Sequence, residues 1–84
     1  MLTKRDRAAK YEAIEELRQT RVDNLRELAK QYGSWSELAR QCAHSVTFLI
    51  ACAGPNPRRN IGEVLARDIE RMLRLKAGYL DVKH

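Results

Sequence analysis

Apolar and polar residues alternate along this chain with the period of a helix almost throughout. Residues 3–32 contain neither Gly nor Pro and are dense in Glu, Lys, Arg, Ala and Leu, which favour helix. Within them Tyr11, Ile14 and Leu17, then Leu25, Leu28, Ala29 and Tyr32, recur at three- and four-residue intervals. Thr3 with Asp6 offers a weak start and Gly33 a stop. Between Leu17 and Leu25 only Val22 is apolar, and Thr20-Arg21-Val22-Asp23 offers a second cap. The segment reads as one long helix, with a break near Thr20 as the alternative. Its first half has a thin apolar stripe, as expected of a projecting arm or a dimer contact.

Two short helices follow. Ser34-Trp35-Ser36-Glu37 fits the S-x-x-E capping box, and Trp35, Leu38, Ala39 and Cys42 then share a face. Ala43-His44 allows a turn and Ser45 a second cap, after which Phe48, Leu49, Cys52 and Ala53 recur at helical spacing. Gly54-Pro55-Asn56-Pro57 ends this helix. Asn60-Ile61-Gly62-Glu63 reads as a third cap, opening a helix with Ile61, Leu65, Ala66, Ile69, Met72 and Leu73 on one side and an end near Leu75. Gly78 permits a turn that returns Tyr79-Leu80 to the core. No alternating strand pattern occurs, so the fold class is all-α.

Two short helices joined by about three residues form the helix-turn-helix arrangement, in which the second helix enters the major groove. Ala39 sits where the two helices would cross closely, and Leu49 and Cys52 face inward. Any small helical bundle with a short helix hairpin would share this spacing.

The chain has 84 residues, enough for one small core, and a formal charge of +5. The charge suggests an anionic partner without naming one. Residues 38–62 hold no carboxylate but carry Arg40, Arg58 and Arg59, with His44. Nothing resembles a membrane span or an apolar leader, and a cytoplasmic location is expected. Cys42 and Cys52 fall at apolar helical positions and read as buried thiols; no metal site or cofactor is expected. No glycine-rich phosphate loop, paired-carboxylate motif or Cys–His arrangement with an orienting acid appears, so the protein is not expected to be an enzyme.

Trp35 to Ala53, with Asn60-Ile-Gly-Glu-Val-Leu-Ala-Arg-Asp-Ile-Glu70 and Gly78-Tyr-Leu-Asp81, resembles the phage-repressor-like (lambda-repressor-like) helix-turn-helix family. Its members often read N-I-G-E-x-L-A-R-x-I-E and close on G-aromatic-L-D; Asn24-Leu-Arg-Glu-Leu28 matches their N-L-R-x-L. The resemblance spans roughly residues 21–81. It implies a four- to five-helix domain over residues 21–84, with the helix-turn-helix at about 35–53 and residues 1–20 as a helical extension. It further implies a small transcriptional regulator of phage or plasmid type, acting by operator occupancy on double-stranded DNA as a homodimer.

Position then assigns roles. Amides at the start of the first short helix, with the Ser34 and Ser36 hydroxyls, are placed to hold a phosphate. Arg58 and Arg59 are the best phosphate contacts, with Asn60 beside them, and Arg40 reaches from the outer side of its helix or stays a surface charge. Trp35 is expected to pack rather than stack on bases, and His44 to be half-buried. On the recognition helix, after Ser45, the outward positions are Val46, Thr47, Ile50 and Ala51, of which only Thr47 can hydrogen-bond. Family members generally carry at least one Gln, Arg, Asn or Ser there. Apolar side chains can contact thymine methyls, but bidentate base readout is absent. Leaving a Val and an Ile in water forgoes roughly 1.5–3 kcal/mol each. The alternative is therefore a module that reuses the fold to grip a protein partner at Val46 and Ile50, as an antirepressor, co-regulator or inhibitor would.

Overall fold

The computed structural model describes the backbone of residues 4–84 and the side chains of residues 13–84. The first helix, α1, runs unbroken from Lys4 to Tyr32. It does not break at Thr20, because the Thr20 hydroxyl donates to the Glu16 carbonyl at 2.9 Å instead of capping a new helix. The cap suggested at Thr3 lies outside the described residues. Gly33, at φ +101°, ends the helix in the left-handed region that glycine enters without strain.

Ser34 starts α2, Trp35–Cys42, by accepting from the Glu37 amide at 3.1 Å. Ala43 follows at φ 59°, and the His44 amide reaches back to the Ala39 carbonyl at 3.1 Å, closing the turn. Ser45 starts α3, Val46–Ala53, by accepting from the Phe48 amide at 3.1 Å. The expectation fails at the third cap. Helix α4 spans Glu63–Met72 behind Gly62, and no side chain caps it; Asn60 is exposed and two residues upstream. Ile61 lies ahead of the helix yet is buried, and Met72, expected to face inward, is 44% exposed. The helix ends at Met72 rather than near Leu75, because Arg74 turns left-handed at φ 59° and the Leu75 amide bonds the Glu70 carbonyl at 2.7 Å. A single 3₁₀ turn, Tyr79–Asp81, completes the all-α architecture.

Helix α1 packs against α2, α3 and the 3₁₀ turn; α2 meets α3 and α4. The core draws Leu25, Leu28 and Ala29 from α1, Leu38, Ala39 and Cys42 from α2, and Leu49, Cys52 and Ala53 from α3. Ile61, Ala66, Ile69, Leu73 and Leu80 close it. Along α1 burial begins at Thr20; from Ala13 to Gln19 only Leu17 is half-buried. Among the described residues no helix is long and apolar enough to cross a membrane.

Two polar residues of α1 fasten the chain's end. Asn24 Nδ2 donates to the carbonyls of Leu80 at 2.8 Å and Val82 at 2.9 Å. Arg21, almost wholly buried, donates to Asp81, to the Ile61 carbonyl at 2.9 Å and to Glu63 at 2.9 Å. From α4, buried Glu70 accepts from the amides of Gly78 at 3.0 Å and Leu80 at 2.8 Å. Arg67 lies within ion-pairing distance of Glu70 (3.2 Å) and Asp81 (2.7 Å), off the hydrogen-bond axis to both.

Candidate nucleic-acid interface

Helices α2 and α3 present the site, and the loop after α3 completes it. The Ala51 carbonyl accepts from the amides of both Arg58 at 2.7 Å and Arg59 at 3.0 Å, which brings the loop back onto α3. A residue the sequence did not single out starts that loop. Arg26 of α1 donates from Nε to the Ala53 carbonyl at 2.8 Å and from Nη2 to the Gly54 carbonyl at 2.9 Å. These bonds satisfy carbonyls left open at the end of α3 and place a cation at its negative pole. Arg26 stands inside the Asn24-Leu28 motif, which was the available signal, though nothing local indicates which carbonyls it reaches.

Thr47, Ile50 and Ala51 of α3 and Pro55, Asn56 and Arg58 of the loop line one shallow depression of about 300 Å³. Pro55 also lines a second, of about 400 Å³, with Lys30, Ser34, Trp35 and the backbone around Gly54. The outward side of α3 thus continues through Pro55 to the N-terminus of α2, and among the described residues neither depression is lined by a carboxylate. Arg59 and Asn60 fall elsewhere. They face a third hollow, formed with Glu15, Arg18, Gln19 and Val22 of α1, that Arg58 shares.

Exposure divides the expected α3 contacts. Thr47 is exposed and Ile50 is 39% exposed, whereas Ala51 is half-buried and Val46 half-buried against the core. Phe48 is half-buried against the core. The His44 ring stacks on it at 5.3 Å between centroids, and the Arg59 guanidinium lies 5.7 Å from its ring centre. His44 Nε2 is 3.1 Å from Asp68 Oδ2, so the turn between α2 and α3 is tied to α4. Asp68 is held below its ordinary carboxylate value by Arg71 and by His44.

At the N-terminus of α2, Ser34 and Ser36 are exposed and Trp35 is half-buried against the core. Arg40 is paired with Glu37 one turn earlier, and the pair pushes the Glu37 carboxyl down. Arg40 therefore presents a partly neutralised charge. Cys42 and Cys52 are free and fully buried, and burial pushes both thiols up, away from the reactive thiolate. No group of three or more potential metal ligands occurs among the described residues.

Of the residues carrying the family resemblance, Trp35, Thr47, Ile50 and Ala51 line this surface. Asn24, Glu63, Glu70 and Asp81 hydrogen-bond and Arg67 ion-pairs within the domain, away from Thr47 and Ile50. Comparison with protein-family models, with curated proteins and with solved structures yields no match in any of the three.

Proposed function

We propose that this protein is a small DNA-binding regulator that acts by occupying an operator as a homodimer. One observation carries the reading: the outward side of α3, Arg58 and the capped start of α2 form a continuous surface that no carboxylate lines among the described residues. Duplex DNA carries a dense row of phosphates, so a contact face free of acids with flanking cations suits it. In this reading α3 enters the major groove, Arg58 takes a phosphate beside it, and the Ser34 hydroxyl and α2 amides take another.

The charge of α1 favours a dimer. Residues 4–10 carry a net +3 and residues 11–19 a net −2. Two arms laid antiparallel would set the basic half of each against the acidic half of the other, over Ile14 and Leu17. The part of α1 before Thr20 is close to the ~12–15 residues below which a lone helix is marginal in water, and pairing would steady it.

The test is a salt titration of binding to a random-sequence duplex, beside a mass measurement of the oligomer. Neutralising Z phosphates gives a slope of log K against log salt of about −0.9Z, so Arg58→Ala with Arg59→Ala should reduce its magnitude by at least about 0.9, the share of Arg58. Salt-independent binding, or none at low salt, overturns the reading.

The exposure of Ile50 in an uncharged helix favours a second reading, a module that binds a protein at Ile50, with Val46 packed against the core instead of contributing. Ile50→Asp would then abolish partner capture, while the arginine changes would matter little.

A further inference from the structure

The recognition surface has an unusual chemistry for reading bases. The lining of its depression offers two hydrogen-bonding side chains beside Arg58: Thr47 on α3, and Asn56 in the loop. Between them lie Ile50, Ala51 and Pro55, which offer only carbon. In the major groove a pyrimidine shows two features, its C4 substituent and its C5 position. The C4 oxygen of thymine or amine of cytosine needs a hydrogen-bonding partner. The C5 position carries a methyl in thymine and in 5-methylcytosine and a bare hydrogen in cytosine and uracil. An isoleucine flanked by alanine and proline can reward that methyl and can do nothing for the C4 group.

Charge selects the kind of occupant. An apolar patch alone would suit many partners, but this one adjoins Arg58, has no carboxylate in its lining among the described residues, and continues into a hollow containing Lys30. That surround complements a polyanion with apolar features in its groove. We propose that α3 recognises pyrimidine 5-methyl groups in the major groove of duplex DNA, through Ile50 and the methyl of Thr47, while Arg58 holds the neighbouring backbone. The inference rests on the DNA-binding reading above. The methyl has two sources, thymine and 5-methylcytosine, and the test separates them.

Binding is measured at low salt to four synthetic alternating duplexes of one length: dA–dT, dA–dU, dG–dC and dG–d(5-methylC). Removing a contacted methyl should weaken binding about fourfold for each one lost. The dA–dT duplex should therefore bind more tightly than dA–dU, and the methylated dG–dC duplex more tightly than the plain one. The salt slope should stay the same across all four, since the phosphates are unchanged. A preference within only one of the two pairs assigns the readout to that source. Ile50→Ala should bring the ratios towards one. Each ratio is taken on a single preparation, so partial unfolding does not imitate the effect. Equal affinity for all four duplexes with the salt slope retained overturns methyl readout and leaves DNA binding standing. No binding to any of them overturns both.

Discussion

Arg21 and Asp81, sixty positions apart in the chain, are joined by two hydrogen bonds, from Nε to Oδ1 at 2.7 Å and from Nη2 to Oδ2 at 3.2 Å. Through the same guanidinium α1 also holds the Ile61 carbonyl and Glu63, so one side chain ties α1 to the entry of α4 and to the closing 3₁₀ turn. The Arg21 side chain is 7% exposed and that of Asp81 25%. A guanidinium so buried depends on its carboxylates, and the hydrogen bond to Asp81, with the nearby negative charge, raises its own pKa further.

Asp81→Asn should therefore destabilise the fold. Removing one member of a buried pair costs 3–5 kcal/mol, but Arg21 keeps Glu63 and the Ile61 carbonyl, so about 2 kcal/mol is expected. For a domain of this size that lowers Tm by about 10 °C, read by thermal denaturation. The pH dependence has a definite sign. Asp81 is held below its ordinary value of 3.8, chiefly by the hydrogen bond from Arg21. A carboxyl whose folded pKa is depressed stabilises fully above its unfolded value and loses that contribution as pH falls through the folded one. Its share should be constant above about pH 5 and decline in acid, and Asp81→Asn should flatten the decline. An unchanged acid limb would show that other carboxylates set it.

The two serine caps separate stability from binding. Ser45→Ala should cost about 1 kcal/mol, measured by urea unfolding. Ser34→Gly should cost only a few tenths, since glycine is nearly as good a cap. If the Ser34 hydroxyl contacts a phosphate, that same change weakens DNA binding while stability hardly moves; unchanged affinity would leave Ser34 a cap alone.

Arg58 and Arg59 should not be equivalent. Arg58 lines the depression with Thr47 and Ile50, whereas Arg59 lies over Phe48. Arg58→Ala should reduce the magnitude of the salt slope by about 0.9. Arg59→Ala should change the slope less and cost about 0.5 kcal/mol of stability through the lost cation–π contact. Equal changes in slope would place both guanidinium groups on the backbone.

Deleting residues 1–19 tests the arm. Burial along α1 starts at Thr20, so the remaining domain should keep its cooperative unfolding. On the proposed homodimer joined by the arm, sedimentation should show the full chain as a dimer and the truncated chain as a monomer. A truncated chain that still dimerises would move the dimer contact off the arm.

How much of this was legible in the sequence depends on how far each interaction reaches. The Ser34 and Ser45 caps, the stop at Gly33 and the inward positions of α1 and α2 were readable, because those contacts lie within three or four residues and helical geometry dictates them. The third cap was misread at Asn60, since a buried Ile61 held by Arg21 moved the start of α4 to Gly62. In α3 helical spacing places Leu49 and Cys52 inward and Thr47 and Ile50 outward, as found, but misplaces Val46. With only Thr47 polar among its eight residues, the edge of the buried side is not marked.

The sequence by itself determined the helices, the turn between α2 and α3, and the acid-free stretch from residue 38 to residue 62. Tertiary structure alone decided that Arg21 spends its charge on Asp81, that Arg26 caps α3, and that Phe48 lies between His44 and Arg59. It also decided that Val46, placed outward by helical spacing, packs against the core. The physical reason is common to all of these. A long side chain takes whichever partner packing brings within reach, and an apolar helix buries whichever side its neighbours cover.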